Sequence, residues 1–335
     1  MSGQASPQHA AAVARRLRTL SAGALVAAVA VFVLGADYAL SQAAFVATYA
    51  IAGLGMIVIV GQCGQISLGQ GALLGLGAYV EALLVVRGVP APLAMAVAVA
   101  AGTAGGWLAS LPARRLGGLY FAMSTLAFAL IVEEALVRAE ALTHGAAGLA
   151  VPTLVLAGFP VDASWSQALA AALALALAWI AARRCVASRL GRSWHAVRED
   201  EAAAAACGVD VARAKRAAFA FGGALSGLAG ALYAHWIGFV SPEQFGLMLS
   251  FELLMLAFIG GARELAGALW GALVVVALPQ AISVLTELLP AGTATPAGLE
   301  SLLFGAVVVA LILLRPGGLT ASRTRGEDPD LTDTA

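Results

Sequence analysis

Apolar runs of about twenty residues, the length a helix needs to cross a bilayer, recur along this chain. Short polar or basic turns separate them. The pattern predicts ten helical segments, at roughly 19–36, 43–61, 68–86, 91–111, 117–137, 165–183, 215–237, 246–261, 266–289 and 300–315. The eighth is short for a span of its own, and the stretch 61–77 is dense enough in glycine to be broken or re-entrant. Segments such as Ala168 to Ala182 carry no polar stripe, and a helix apolar all round is a buried or lipid-embedded one. The expected fold class is therefore an all-α polytopic integral membrane protein with about eight to ten transmembrane helices. The expected organisation is an N-terminal segment over 1–18, a membrane domain over 19–318 with a polar loop at about 184–215, and a disordered tail over 319–335.

Composition agrees: the 335 residues are 61% hydrophobic and only 11% charged, whereas soluble domains run near 25% charged. A soluble fold of this length could not cover so much apolar surface. The polar, then basic, then apolar start resembles a signal peptide. No small-residue cleavage site precedes a soluble region, so an uncleaved first span is expected. The positive-inside rule orients the chain. With the N-terminus in the cytoplasm and ten alternating segments, only Arg87 and Arg138 of the nineteen basic residues fall outside. Both termini are thus expected to be cytoplasmic, in a bacterial inner membrane.

Several classes of function are excluded or disfavoured. The formal net charge is zero, which gives no steering toward nucleic acid. Lys215 is the sole lysine and no glycine-rich loop precedes it, so the chain has no phosphate-binding loop of its own. His9, His144, His195 and His235 have no metal-ligand spacing, and Cys63, Cys185 and Cys207 fit no metal or redox motif. No metal, cofactor or catalytic residue is expected. Any uphill transport must draw its energy from a partner or an ion gradient.

Three stretches carry information. In Gly61 to Tyr79, glycines including Gly64, Gly71 and Gly75 alternate with Gln65, Ser67 and Gln70. Amide side chains in a bilayer must find partners or face water, and Gly71 and Gly75 form a close-approach G-x-x-x-G. The stretch reads either as a solute path or as helix packing. Gly222, Ser226 and Gly230, with Gly223 and Gly227, repeat at four and predict a close-contact face. In the polar loop, Ala202 to Ala206 favours helix. Glu199, Asp200 and Glu201 suit its start, and Gly208 suits its C-terminal stop. A short surface helix with small side chains leaves room for another surface to press in. Among acidic residues, Glu133, Glu134 and Glu252 fall near segment ends and are expected at the interface. Glu81 lies deeper, where a carboxylate is either functional or paired.

These residues resemble a known family. Gly64 to Tyr79 matches G-Q-x-S-L-G-x-G-A-x-x-x-x-G-A-Y, and Tyr120 to Phe128 matches Y-F-A-M-x-T-L-A-F. Thr143 to Leu149, Ala196 to Gly208 and Leu225 to His235 with Ser241-Pro242 follow in order. The chain is similar, over roughly residues 45–318, to the second permease subunit of branched-chain amino acid ABC importers. The resemblance implies a homologous second permease, two ABC ATPase subunits and a periplasmic solute-binding protein. It makes Arg198, Glu199, Asp200, Glu201, Ala203, Ala204 and Gly208 the ATPase-coupling segment, with one extra residue after Glu201. It also adds Tyr120 and Thr125 to the residues of the path or its packing. Related permeases carry urea, short amides or aromatic acids on the same scaffold. A stand-alone secondary transporter, with Glu81 carrying a coupling ion, is the rival outside the family. The sequence departs from the family at Gly260 to Ala268, where Arg263 replaces a glycine and Ala268 a proline.

Overall fold

The computed structural model of the chain describes residues 36–287 and 299–320, apart from 157 and 316. The predicted span at 19–36, but for its last residue, lies outside the described residues. So do the N-terminal segment 1–18 and nearly all of the tail 319–335.

The described chain is helical, with small strand pairs at one end. In order it forms α1 (Ala36–Ile57), α2 (Gln70–Val86), α3 (Ala91–Ala109), α4 (Gly118–Arg138), α5 (Ser164–Ala187), α6 (Arg189–Glu199), α7 (Glu201–Ala206), α8 (Val211–Ile237), α9 (Leu247–Gly260), α10 (Gly267–Glu287) and α11 (Leu299–Leu314). Every span predicted from residue 43 onward has a helix close to its expected bounds. Among the described residues, six helical stretches are long and apolar enough to cross a membrane, and Gln70–Val86 and Gly267–Ile282 are shorter apolar helices. The short eighth segment gains length from a 3-10 turn at Pro242–Phe245, so the helical stretch runs Pro242–Gly260. That extension moves Glu252 away from an end. It lies half-buried in mid-span near Tyr49 and Tyr233, against the interfacial position expected.

The alternation of spans separates two ends. At the basic end, Gln62 Nε2 donates to the Arg263 carbonyl at 3.0 Å, and Arg198 Nη1 to the Gly61 carbonyl at 2.8 Å. The chain after α11 returns there too, with Leu319 N donating to Ile259 O at 2.9 Å. At the opposite end, β1 (Leu149–Ala150) pairs antiparallel with β4 (Phe239–Val240), and β2 (Val155–Leu156) with β3 (Phe159–Pro160).

Helix α8 is the centre of the bundle, packed against α1, α2 and α3. Its glycines make this possible, as their spacing predicts. Gly223 and Gly227 meet α3, Gly222 meets Gly55 and Ile59 at the end of α1, and Gly230 meets Leu74 on α2. Helices α4 and α5 sit at the periphery. Leu119, Met123 and Ile131 on α4, and Trp165, Leu173 and Leu177 on α5, are exposed. Such surface is stable in lipid or against another membrane subunit.

Candidate functional site: the basic end and the helix break

Helix α1 ends in a π turn over Val58–Gln62. The chain then runs without regular structure from residue 63 to 69 before α2 begins at Gln70. Gly64 takes φ +72°, the left-handed region that favours glycine, and a Cβ there would meet Arg198 Cγ at 2.7 Å. Part of the irregular backbone is satisfied internally. Gln65 N donates to Ile59 O at 3.0 Å, Leu68 N to Thr125 Oγ1 at 3.0 Å and Gly69 N to Ser67 Oγ at 3.4 Å. Gln70 Nε2 donates to Ser226 Oγ at 2.6 Å. Ser226 lies three turns along α8 from Lys215, roughly 16 Å at the helical rise, about half of a ~30 Å hydrocarbon core. Helix α2 therefore starts deep in the bundle, and residues 63–69 form a non-helical connection between α1 and α2. It lies within the glycine-rich stretch 61–77 expected to be broken.

The short surface helix anticipated in the polar loop is α7. Asp200 is its N-cap and accepts from Ala203 N at 2.8 Å. Gly208, at φ +84°, turns the chain at its other end. Ala204 is buried against a cluster containing Trp194 and Val197, while Ala202, Ala205 and Ala206 form an exposed face. Helix α6 beneath it is fixed by Trp194, whose Nε1 donates to Ala214 O at 2.9 Å. Arg198 sits at the end of α6 with Glu199 Oε1 2.7 Å from its Nη2. That hydrogen bond, with the guanidinium charge, holds the Glu199 carboxyl below its usual range. Partial burial, then Arg198, likewise lowers His195 and favours the neutral imidazole near pH 7.

Glu201 differs from its neighbours. Its Oε1 lies 2.7 Å from Lys215 Nζ and accepts from Gln65 Nε2 at 3.1 Å. Lys215 is 1% exposed, and its ammonium lies 5.7 Å from the centroid of the Phe121 ring on α4, within cation–π range. The polar-loop helix and the helix break, apart in sequence, thus meet in one place. Gln65 points at the surface helix rather than into a cavity. Lys215 and its link to Glu201 were not visible in the sequence. The one available signal was that the chain's sole lysine falls at the start of a span.

The remaining candidates divide. Ser67, Gln70 and Thr125 are fully buried, and Gly71 and Gly75 pack against the turn before α9, Gly71 also against Ser250 within α9. A Cβ on Gly75 would lie 2.7 Å from Phe245 Cβ, and Gly71 N donates to Ser250 Oγ at 2.9 Å. All five sit in packed surroundings. Tyr120, by contrast, is 73% exposed on the outer face of α4. Glu81 is paired: its Oε1 lies 2.9 Å from His235 Nε2, and His235 Nδ1 lies 3.0 Å from Pro152 O. Of the acidic residues expected at the interface, Glu134 is in place, in an exposed pair with Arg138. At the family departure, Arg263 stands at the basic end with its carbonyl on Gln62, and Ala268 is buried. Among the described residues no cluster of three or more His, Cys, Asp or Glu could hold a metal.

Fold and site together define a multi-pass α-helical membrane protein of the transport-permease class, with an interrupted span tied to an alanine-rich helix at the basic end. The chain belongs to the family described as branched-chain amino acid transport system / permease component, which it matches over residues 38–312. It is 30% identical, over 81% of its length and 67% of the relative's, to the high-affinity branched-chain amino acid transport system permease protein LivM of Escherichia coli K12. It is 25% identical to LivH of Salmonella typhimurium, a permease protein of the same system, over 68% of this chain and 79% of that one. A shorter match, 38% identical over 29% of this chain and 26% of the relative, is to the autoinducer 2 import system permease protein LsrC of Klebsiella pneumoniae. No solved structure matches the chain.

Proposed function

We propose that this chain is one permease subunit of a binding-protein-dependent ABC importer that carries branched-chain or other hydrophobic amino acids across the bacterial inner membrane. Its basic end faces the cytoplasm, with both termini there. A homologous second permease completes the path, two ABC ATPase subunits supply the energy, and a periplasmic binding protein delivers the solute. The chain itself performs no chemistry on the solute.

The observation that carries this reading is α7. It is a capped helix standing outside the bundle, with Ala202, Ala205 and Ala206 on its outward face, and it is hydrogen-bonded to the break between α1 and α2. Methyl side chains let a partner's cleft approach the backbone closely. A push on α7 reaches residues 63–69 directly, where non-helical backbone can change shape without breaking a helix. Tyr120, on the exposed face of α4, is assigned to the wall of the path facing the second permease.

The test is uptake of radiolabelled leucine, isoleucine and valine into proteoliposomes. The expected result is ATP-dependent accumulation with all partner subunits and binding protein present, and none with this chain alone. Accumulation by the chain alone would instead support the stand-alone transporter. Ala205→Trp, which fills the outward face of α7, is expected to weaken retention of the ATPase subunits on an affinity column and to lower uptake at least tenfold. Wild-type retention and uptake in that variant would sink the docking assignment.

A further inference from the structure

The resemblance makes Glu201 a member of the segment that touches the ATPases. The geometry adds a second role: we infer that the Glu201 side chain, 41% exposed, turns its carboxylate onto the bundle, and that with Lys215 and Gln65 it forms a positioning node passing the movement of α7 to the helix break and to α4. This rests on the importer reading above.

Four elements meet at the node. Glu201 is the first residue of α7, and both its carboxylate oxygens lie within hydrogen-bond distance of Lys215 Nζ, at 2.7 and 2.8 Å. Lys215 rises from the second turn of α8. Gln65, 5% exposed, brings the interrupted backbone onto the same carboxylate at 3.1 Å. Phe121, fully buried near the start of α4, lies beside the lysine ammonium. A second strut runs in parallel, with Arg198 Nη1 on the Gly61 carbonyl and the Arg198 backbone packed on Gly64.

A lysine buried this completely has few ways to satisfy its charge. Its ammonium is a strongly hydrated point charge, and burial is tolerated only with a close anionic partner. Glu201 is the carboxylate it touches here. If a partner displaces α7, Glu201 moves with it, and Lys215 cannot stay behind without stranding its ammonium. The lysine, the glutamine and the backbone it holds are therefore drawn along. A merely solvated glutamate at the start of a surface helix would give at that point and transmit nothing. The outward alanines take the push, and the node carries it inward.

The experiment uses the full complex in proteoliposomes, scoring uptake and ATP hydrolysis per assembled complex. Lys215→Met is expected to assemble and hydrolyse ATP while uptake falls at least tenfold. Lys215→Arg, which keeps the charge, is expected to hold a larger share of uptake than Lys215→Met. Glu201→Gln, nearly isosteric and able to keep one hydrogen bond, guards against misfolding and is expected to lower uptake several-fold at normal complex levels. The double variant is expected to be no worse than Lys215→Met, because both residues act through one contact. Uptake within twofold of wild type in Glu201→Gln would overturn the inference. So would uptake and hydrolysis falling together in proportion to lost complex. A wild-type complex with no ATP-dependent uptake would instead overturn the importer reading, and the node with it.

Discussion

Replacing His235 with alanine is expected to destabilise the bundle by at least the ~1–3 kcal/mol cost of leaving a buried polar group unsatisfied. Both side chains of the Glu81–His235 pair are fully buried. Among the described residues Glu81 Oε2 has no hydrogen-bond partner, and His235 is the side chain that satisfies the carboxyl group there. His235 also reaches the Pro152 carbonyl, which ties α2 and α8 to the segment beyond α4. Its loss therefore opens two contacts at once. Glu81→Leu combined with His235→Leu removes both polar groups while keeping the site filled, and is expected to recover most of the loss. Denaturant unfolding in mixed micelles measures the series. A single His235→Ala variant within 1 kcal/mol of wild type would show that the pair holds nothing together. The same experiment separates this chain from an ion-coupled transporter. Glu81→Leu/His235→Leu is expected to keep ATP-driven uptake in the full complex, and an ion-coupling carboxylate could not be replaced in that way.

What the sequence disclosed follows from how each feature is encoded. Spans are written in local composition, so nine helices lie close to where apolar runs place them. The surface helix was legible because Asp200, the alanine run and Gly208 are neighbours in the chain, and caps are local signals. The break at 63–69 falls within the glycine-rich stretch 61–77 expected to be broken, but Gly71, Gly75 and Gly77 in the second half of that stretch lie in regular helix, so glycine density located the break only roughly. Partnerships across the fold were not legible. Glu81 and His235 are 154 positions apart, and Gln65 and Glu201 are 136 apart; no periodicity connects such residues. The residue types suggested that Gln65, Ser67 and Gln70 were alike. Only the packing separates Gln65, turned to α7, from Gln70, turned to Ser226. Glu252 was misplaced because a 3-10 turn opened by Ser241 and Pro242 lengthens its span, and such a turn adds little hydrophobic signal.

The other large effect is expected at Gly227. Helix α8 is wedged there between two neighbours. A Cβ on Gly227 would lie 2.6 Å from the Ala98 carbonyl oxygen and 3.3 Å from Gly102 Cα on α3, and one on Gly77 of α2 would lie 2.5 Å from Gly227 Cα. The opposing atoms are backbone, which cannot rotate away as a flexible side chain can. Without a hydrophobic driving force between helices in lipid, close backbone approach is much of what holds such a bundle together. Gly227→Leu is therefore expected to cost at least the ~1–3 kcal/mol of an overpacked core and to remove most correctly assembled protein. Gly305→Leu on α11 is expected to be tolerated, because a Cβ at Gly305 meets nothing within 4 Å among the described residues. Fluorescence-detected size exclusion after mild detergent extraction compares the two directly. The consequence reaches transport. Residues 63–69 are then the non-helical link from the end of α1, itself packed on α8, to the block of α2, α3 and α8. A modest spacer such as Gly227→Ala should then lower uptake more steeply than it lowers the amount of folded protein. Equal losses in both would mean that the block is only a scaffold.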